Sequence, residues 1–109
     1  MKPQGHPRFY ELIEEIKQLH AAKNHDYTKG RDALSNLRAC ESFGVPAWKG
    51  TLVRMCDKWS RLQSFALCDK LKVENEKITD TLMDFAVYSL LEIILIEEAQ
   101  EAKSCQKST

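Results

Sequence analysis

Residues 82–96 limit this chain to few folds, because their only charges in fifteen positions are Asp84 and Glu92. The run falls short of the roughly 20 apolar residues that a membrane-spanning helix needs. Wound as an α-helix it is apolar on nearly every side, so it reads as a core helix with neighbours on several faces. A chain of 109 residues supplies few such neighbours by itself. The expectation is therefore a homo-oligomer, a dimer or tetramer, sharing this C-terminal helix.

The rest of the chain also reads as helix. Pro7 is suited to a first helical position, and Phe9, Leu12, Ile13, Ile16 and Leu19 recur at 3/4 spacing as far as about residue 24. A polar stretch over residues 25–32 predicts a loop. A short helix over 33–43 would end at Gly44, a natural residue to follow a helix C-terminus. Pro46 can open the next helix, with Trp48, Leu52, Met55, Cys56, Trp59, Leu62 and Ala66 as its apolar face and Gly50 weakening its first turns. Residues 69–74 read as a connection. The last helix starts near Asn75, a good N-cap, and runs to about residue 103. Strand alternation and hairpin turns are missing. The fold expected is an all-α bundle of three long helices plus one short helix, a single domain over 1–109 with a core of about 7–103 and a frayed tail at 104–109.

Composition excludes several function classes. With 16 basic and 16 acidic side chains the formal net charge is zero, so no general grip on nucleic acid is signalled. Cys40, Cys56, Cys68 and Cys105 form no CxxC pair and have no zinc-like spacing with histidine. They read as reduced thiols of a cytoplasmic protein. The N-terminal residues turn acidic early and carry no apolar signal-peptide core.

Asp84 is the acid that needs explaining. With Glu76 and Asp80 it falls at i, i+4, i+8, which lines three carboxylates along one side of a helix otherwise built for burial. Such a row calls for a positive partner, either a metal ion or Arg/Lys from a facing helix. Taken with Asp57, the set Asp57, Glu76, Asp80 and Asp84 offers only oxygen, which suits Mg²⁺ or Mn²⁺ better than zinc. Two bland readings stand beside this one. Thr81 to Asp84 matches a capping box, and Asp84–Lys or Asp57–Arg can be a structural ion pair.

Arg54, Asp57, Lys58 and Arg61 are mutual neighbours on a helix. They read as a solvated, salt-bridged face, or as cations facing a polyphosphate while Asp57 turns to a metal. Lys23, at the polar end of an apolar stripe and beside Asp26 and Tyr27, either covers the mouth of a pocket or snorkels. Asn36 and Glu41 follow on the short helix. Glu11, Glu14 and Glu15 look like a motif, but they lie opposite the apolar stripe and read as a wet face.

These pieces in order resemble a family of small phage and bacterial proteins related to the MazG-like all-α nucleoside triphosphate pyrophosphatases. The residues are Lys23…Asp26-Tyr27, Asn36…Glu41, Arg54-Met55-Cys56-Asp57-Lys58…Arg61, and Glu76…Asp80-Thr81-Leu82…Asp84-Phe85-Ala86…Tyr88. The likeness covers about residues 9–98, and the string from Asp80 to Tyr88 is its most specific part. It implies a Mg²⁺- or Mn²⁺-dependent enzyme that hydrolyses a (deoxy)nucleoside triphosphate to monophosphate and pyrophosphate. In that family two acidic strings on successive helices hold the metal against the triphosphate. By position Asp57 stands for the first string, and Asp80 and Asp84 for the second. The chain departs from the pattern by keeping one acid in the first string and Asp80 where Glu is usual.

The roles that follow are metal ligation by Asp57, Asp80 and Asp84 with Glu76, and orientation of the attacking water by Glu41 or Asp84. Phosphate and substrate would be met by Arg54, Lys58, Arg61, Lys23, Asp26 and Asn36, with Tyr27 and Trp48 near the base. A non-catalytic nucleotide-binding protein and a structural helical interaction module are the alternatives.

Overall fold

Every regular element is helical. The structure, a computed structural model, describes residues 4–28, 34–68 and 78–107, and their side chains except those at 23–28 and 105–107. Among the described residues there are three α-helices, α1 (Pro7–Thr28), α2 (Ala47–Cys68) and α3 (Ile78–Lys107), and one 3₁₀ helix (Ser35–Phe43), with no strand. The all-α expectation holds. The chain divides into two compact units, Met1–Asn36 and Leu37–Thr109.

In the first unit His6 starts α1. Its Nδ1 accepts a hydrogen bond from the Arg8 amide at 3.0 Å, and its carbonyl accepts one from the Phe9 amide at 3.0 Å. An amide that the helix cannot satisfy is thereby met by a side chain. The helix runs to Thr28, past the expected end near 24, so Asp26 and Tyr27 belong to a helix and not to a loop. The physical reason is the lack of a breaker: the first Gly or Pro after Pro7 is Gly30. Leu12, Ile16 and Leu19 are half-buried while Phe9 and Ile13 stay exposed. The wet face is as expected, with Arg8 Nη1 reaching Glu11 at 3.0 Å and Glu15 at 3.1 Å, and Lys17 reaching Glu14 at 3.8 Å. Hydrogen bonds donated to Glu15, then to Glu11, hold the Arg8 guanidinium above its ordinary pKa.

The second unit opens with the rest of the 3₁₀ helix, and Gly44 ends it as expected. Its φ of 80° is the left-handed conformation that glycine adopts without cost. The Gly44 amide donates to the Glu41 carbonyl at 3.0 Å and the Val45 amide to the Cys40 carbonyl at 3.2 Å. These paired bonds are a Schellman closure, which satisfies carbonyls that the helix end leaves open. Pro46 follows, and its carbonyl accepts from the amides of Lys49 and Gly50 at 3.0 and 3.1 Å, so it starts α2.

α2 packs on α3. The pairing is antiparallel: Arg38 before α2 bonds Glu98, whereas Lys58 within α2 bonds Asp84, so one strand of contacts advances as the other retreats. The face that α2 buries differs from the expected one. Ala47 and Thr51 are buried and Met55, Lys58, Leu62 and Phe65 half-buried, while Leu52, Cys56, Trp59 and Ala66 are exposed. The small residues Ala47 and Thr51 are the most buried of this face, and the larger Met55, Lys58, Leu62 and Phe65 continue it along the helix. Trp59, though exposed, still reaches Phe85, with ring centroids 6.5 Å apart.

α3 continues through Lys107, so residues 104–107, expected as part of a frayed tail, are helical. Its predicted start near Asn75 and the connection at 69–74 lie outside the described residues. Thr81 is 2% exposed inside the helix, which removes the capping-box explanation of Asp84.

Gly50 has a packing role that the sequence reading did not assign it. A methyl group added there would collide with the Cys40 sulfur. Gly50→Ala is expected to lower stability by about 1 kcal/mol despite the helix-propensity gain of similar size, because overpacking costs ~1–3 kcal/mol. In a Cys40→Ala background the same change should become stabilising. Chemical denaturation of the four variants of this double-mutant cycle measures the change of sign.

Candidate functional site

The acid-bearing helix meets the cation-bearing helix at the ion pair of Lys58 with Asp84. Lys58 Nζ donates to Asp84 Oδ2 at 3.1 Å, with the two side chains 18% and 24% exposed. Lys58 reaches this place because it continues the 3/4 spacing of Ala47, Thr51 and Met55, and its four-carbon stem lies along the seam while the ammonium meets the acid. The sequence reading put Lys58 on the solvent side with Arg54, Asp57 and Arg61. The structure turns it inward and leaves the other three exposed.

The remaining candidates are spread out. Asp80 is exposed in the first turn of α3, where a carboxylate also favours the positive end of the helix dipole. Asp57 is exposed on α2, one residue before Lys58. Glu41 is exposed on the 3₁₀ helix. Glu76 lies outside the described residues. Lys23, Asp26 and Asn36 belong to the first unit. The side chains of Lys23, Asp26 and Tyr27 lie outside the description, and Asn36 is exposed at the start of the 3₁₀ helix. Trp48 is half-buried, with the Lys49 ammonium 5.4 Å from its ring centroid. Among the described residues no three His, Cys, Asp or Glu side chains come together as a metal group. Mg²⁺ typically takes only one or two carboxylates and completes its shell with water and phosphate oxygens. Asp80 and Asp84, one helical turn apart, fit that donor chemistry.

The most buried acid among the described residues is one that the sequence reading passed over. Glu92 is 5% exposed, and neither of its carboxylate oxygens has a hydrogen-bond partner among the described residues. Thr51, 1% exposed in the facing helix, has a hydroxyl without a hydrogen-bond partner among the described residues. From the Lys58–Asp84 pair, Thr51 lies seven residues back and Glu92 eight residues on. That is about 10 and 12 Å along the axes, so the two sit at nearly the same level of the antiparallel pair. Burial pushes the Glu92 carboxyl above its ordinary pKa. A signal was available: Glu92 stands seven residues after Phe85, on the α3 face that packs toward α2, between Leu91 and Ile93. Arg38 and Glu98 make a second link at 2.8 Å, one that the sequence offered no means of pairing.

Free cysteines are found at 40, 56 and 68, as expected for reduced thiols.

Two predictions follow from the seam. Removing the Glu92 carboxylate by Glu92→Leu should raise stability at neutral pH by about 1–3 kcal/mol, since a buried polar group without partners costs that much. Because the folded state holds the Glu92 proton more tightly, its contribution is fully present below the ordinary value of 4.5 and is lost as pH rises through the raised one. The gap between Glu92→Leu and wild type in urea denaturation should therefore widen with rising pH over that window. A gap that stays constant with pH would contradict it. At the ion pair, Asp84→Leu or Lys58→Met alone should cost on the order of 1–3 kcal/mol, while the double change should recover most of the loss. Equal and additive losses would show that the two side chains do not interact.

No protein-family model, curated protein or solved structure matches this chain.

Proposed function

We propose that this protein is a Mg²⁺- or Mn²⁺-dependent nucleoside triphosphate pyrophosphohydrolase of MazG-like type. The reaction joins a water oxygen to the α-phosphorus and breaks its bond to the α–β bridging oxygen, releasing monophosphate and pyrophosphate. The observation that supports it is the 3.1 Å contact of Lys58 with Asp84, which joins the two strings carrying the family resemblance, one on α2 and one on α3. Asp80 and Asp84, with Asp57 and Glu76, would hold the cation, which when bound neutralises charge on the phosphate oxygens. The chain's own part is electrostatic. Lys58, with Arg54 four residues before and Arg61 three after, presents cations along one helix, and arginine matches phosphate with two parallel hydrogen bonds. Glu41 or Asp84 would accept the proton of the attacking water.

A second reading is favoured by the same contact. Lys58 already meets the charge of Asp84, so the pair can serve the α2–α3 seam alone, in a helical interaction module that handles no nucleotide. Between the two stands a protein that binds nucleotide without turning it over.

The outer side of α3 supports the homo-oligomer. Leu82, Leu90, Ile93 and Ile94 are exposed there, away from the Thr81, Glu92 and Leu95 face. In our reading a second copy covers this stripe. Apolar patches of such length are unusual on a monomer. Among the described residues no helix is long and apolar enough to cross a membrane.

The test is a panel of NTPs and dNTPs with Mg²⁺ or Mn²⁺, scored for pyrophosphate. Release is expected with at least one nucleotide, and Asp84→Asn should reduce it by about 100-fold or more, the scale of losing one charge-stabilising group. Thermal stabilisation by nucleotide without pyrophosphate release would favour the binder. No response to any nucleotide or cation would leave the interaction module. Sedimentation should show a dimer or tetramer that Leu90→Glu shifts toward monomer.

A further inference from the structure

The Lys58–Asp84 contact carries more than the joining of two motifs. Asp84 is three-quarters buried, and a carboxylate so placed requires a positive charge beside it. Lys58 supplies that charge, with its ammonium on Oδ2. A divalent cation ligated by the same oxygen would have to share it with the ammonium, and two cations on one carboxylate oxygen repel. We propose that Lys58 and the divalent cation compete for Asp84, and that the phosphates of the nucleotide admit the cation by drawing Lys58 away. The proposal rests on the pyrophosphohydrolase reading above and adds a rule of assembly to it.

The side chains suit such an exchange. A lysine ammonium is a compact charge on a flexible stem, so it changes partner without moving the backbone. A triphosphate carries several negative charges in one place and outbids a single carboxylate for it. Arg54, exposed on the same helix, receives phosphate from the solvent side without disturbing the buried seam. Asp80, exposed one turn before Asp84, is positioned to share a cation once Lys58 has gone. In this arrangement cation and nucleotide each raise the affinity for the other, and by linkage the factor is the same in both directions. Idle protein then keeps Asp84 neutralised and holds no cation tightly.

The experiment measures Mn²⁺ binding to nucleotide-free protein, from the paramagnetic resonance of the free ion. Lys58→Gln is expected to bind Mn²⁺ about tenfold more tightly than wild type, within the usual range of coupling between sites. The gain should vanish in Lys58→Gln with Asp84→Asn. Lys58→Arg keeps the charge and the fold and grips a carboxylate with two hydrogen bonds, so it should bind Mn²⁺ no more tightly than wild type. Should Lys58→Gln fail to fold, as circular dichroism would show, the Lys58→Arg result decides: tighter binding there overturns the proposal and weaker binding sustains it. Equal affinity in wild type and a folded Lys58→Gln overturns it as well. Pyrophosphate release is scored on the same wild-type sample to separate the two claims. Release without the Lys58→Gln gain sinks the exchange and spares the enzyme. The gain without release by any nucleotide sinks the enzyme and spares the competition. No Mn²⁺ binding by any variant overturns the exchange, and no pyrophosphate release beside it overturns the enzyme as well.

Discussion

The antiparallel seam between α2 and α3 holds a charged contact in a place that tolerates little error. Lys58 and Asp84 approach to 3.1 Å with about a fifth of each side chain exposed. That position lies between the surface regime, where an ion pair contributes almost nothing, and the buried regime, where losing one partner strands a charge. The pair also fixes the register in which the smaller residues meet. With Lys58 against Asp84, Thr51 comes level with Glu92, and Trp59 reaches Phe85.

One helix therefore solves the problem of an inward acid in two ways. Asp84 is answered by a cation from the facing helix. Glu92, two turns further on and more deeply buried, is answered by nothing among the described residues and holds its proton more tightly instead. The second unit buries Leu37, Ala47 and Leu95 as its apolar core and Thr51, Thr81 and Glu92 beside them. Among the described residues of this unit polar side chains are as prominent in the core as apolar ones, a thin core given that burial of apolar area is the main stabilising term. The exposed leucines and isoleucines of α3 are the counterpart of that thinness, because they are apolar area that the chain leaves outside the seam.

Much of the fold was legible because helix signals are local. Pro7, Gly44 and Pro46 punctuate the chain where expected, and each acts through its own backbone geometry. The extension of α1 to Thr28 was missed because polar residues were read as a loop, although polarity alone does not stop a helix. The inward face of α2 was misjudged for a different reason. Periodicity weights large apolar residues such as Leu52 and Trp59, whereas the inward face carries Ala47, Thr51 and Lys58. Of the candidate site, Asp84 and the need for a nearby cation could be read from the apolar run around it. Which cation could not be read, because Lys58, Arg54 and Arg61 differ only in the side of the helix on which they finish.

By itself the sequence determined the helical class, the punctuation of the helices and the presence of an acid that demands a positive partner. These follow from interactions within a few residues along one chain. The tertiary structure alone decided that Lys58 is this partner, that Arg38 reaches Glu98 across 60 residues and that Glu92 is the acid sealed away. Each of those outcomes depends on the rotation and register of one helix against another, which pairwise packing sets and no local pattern encodes.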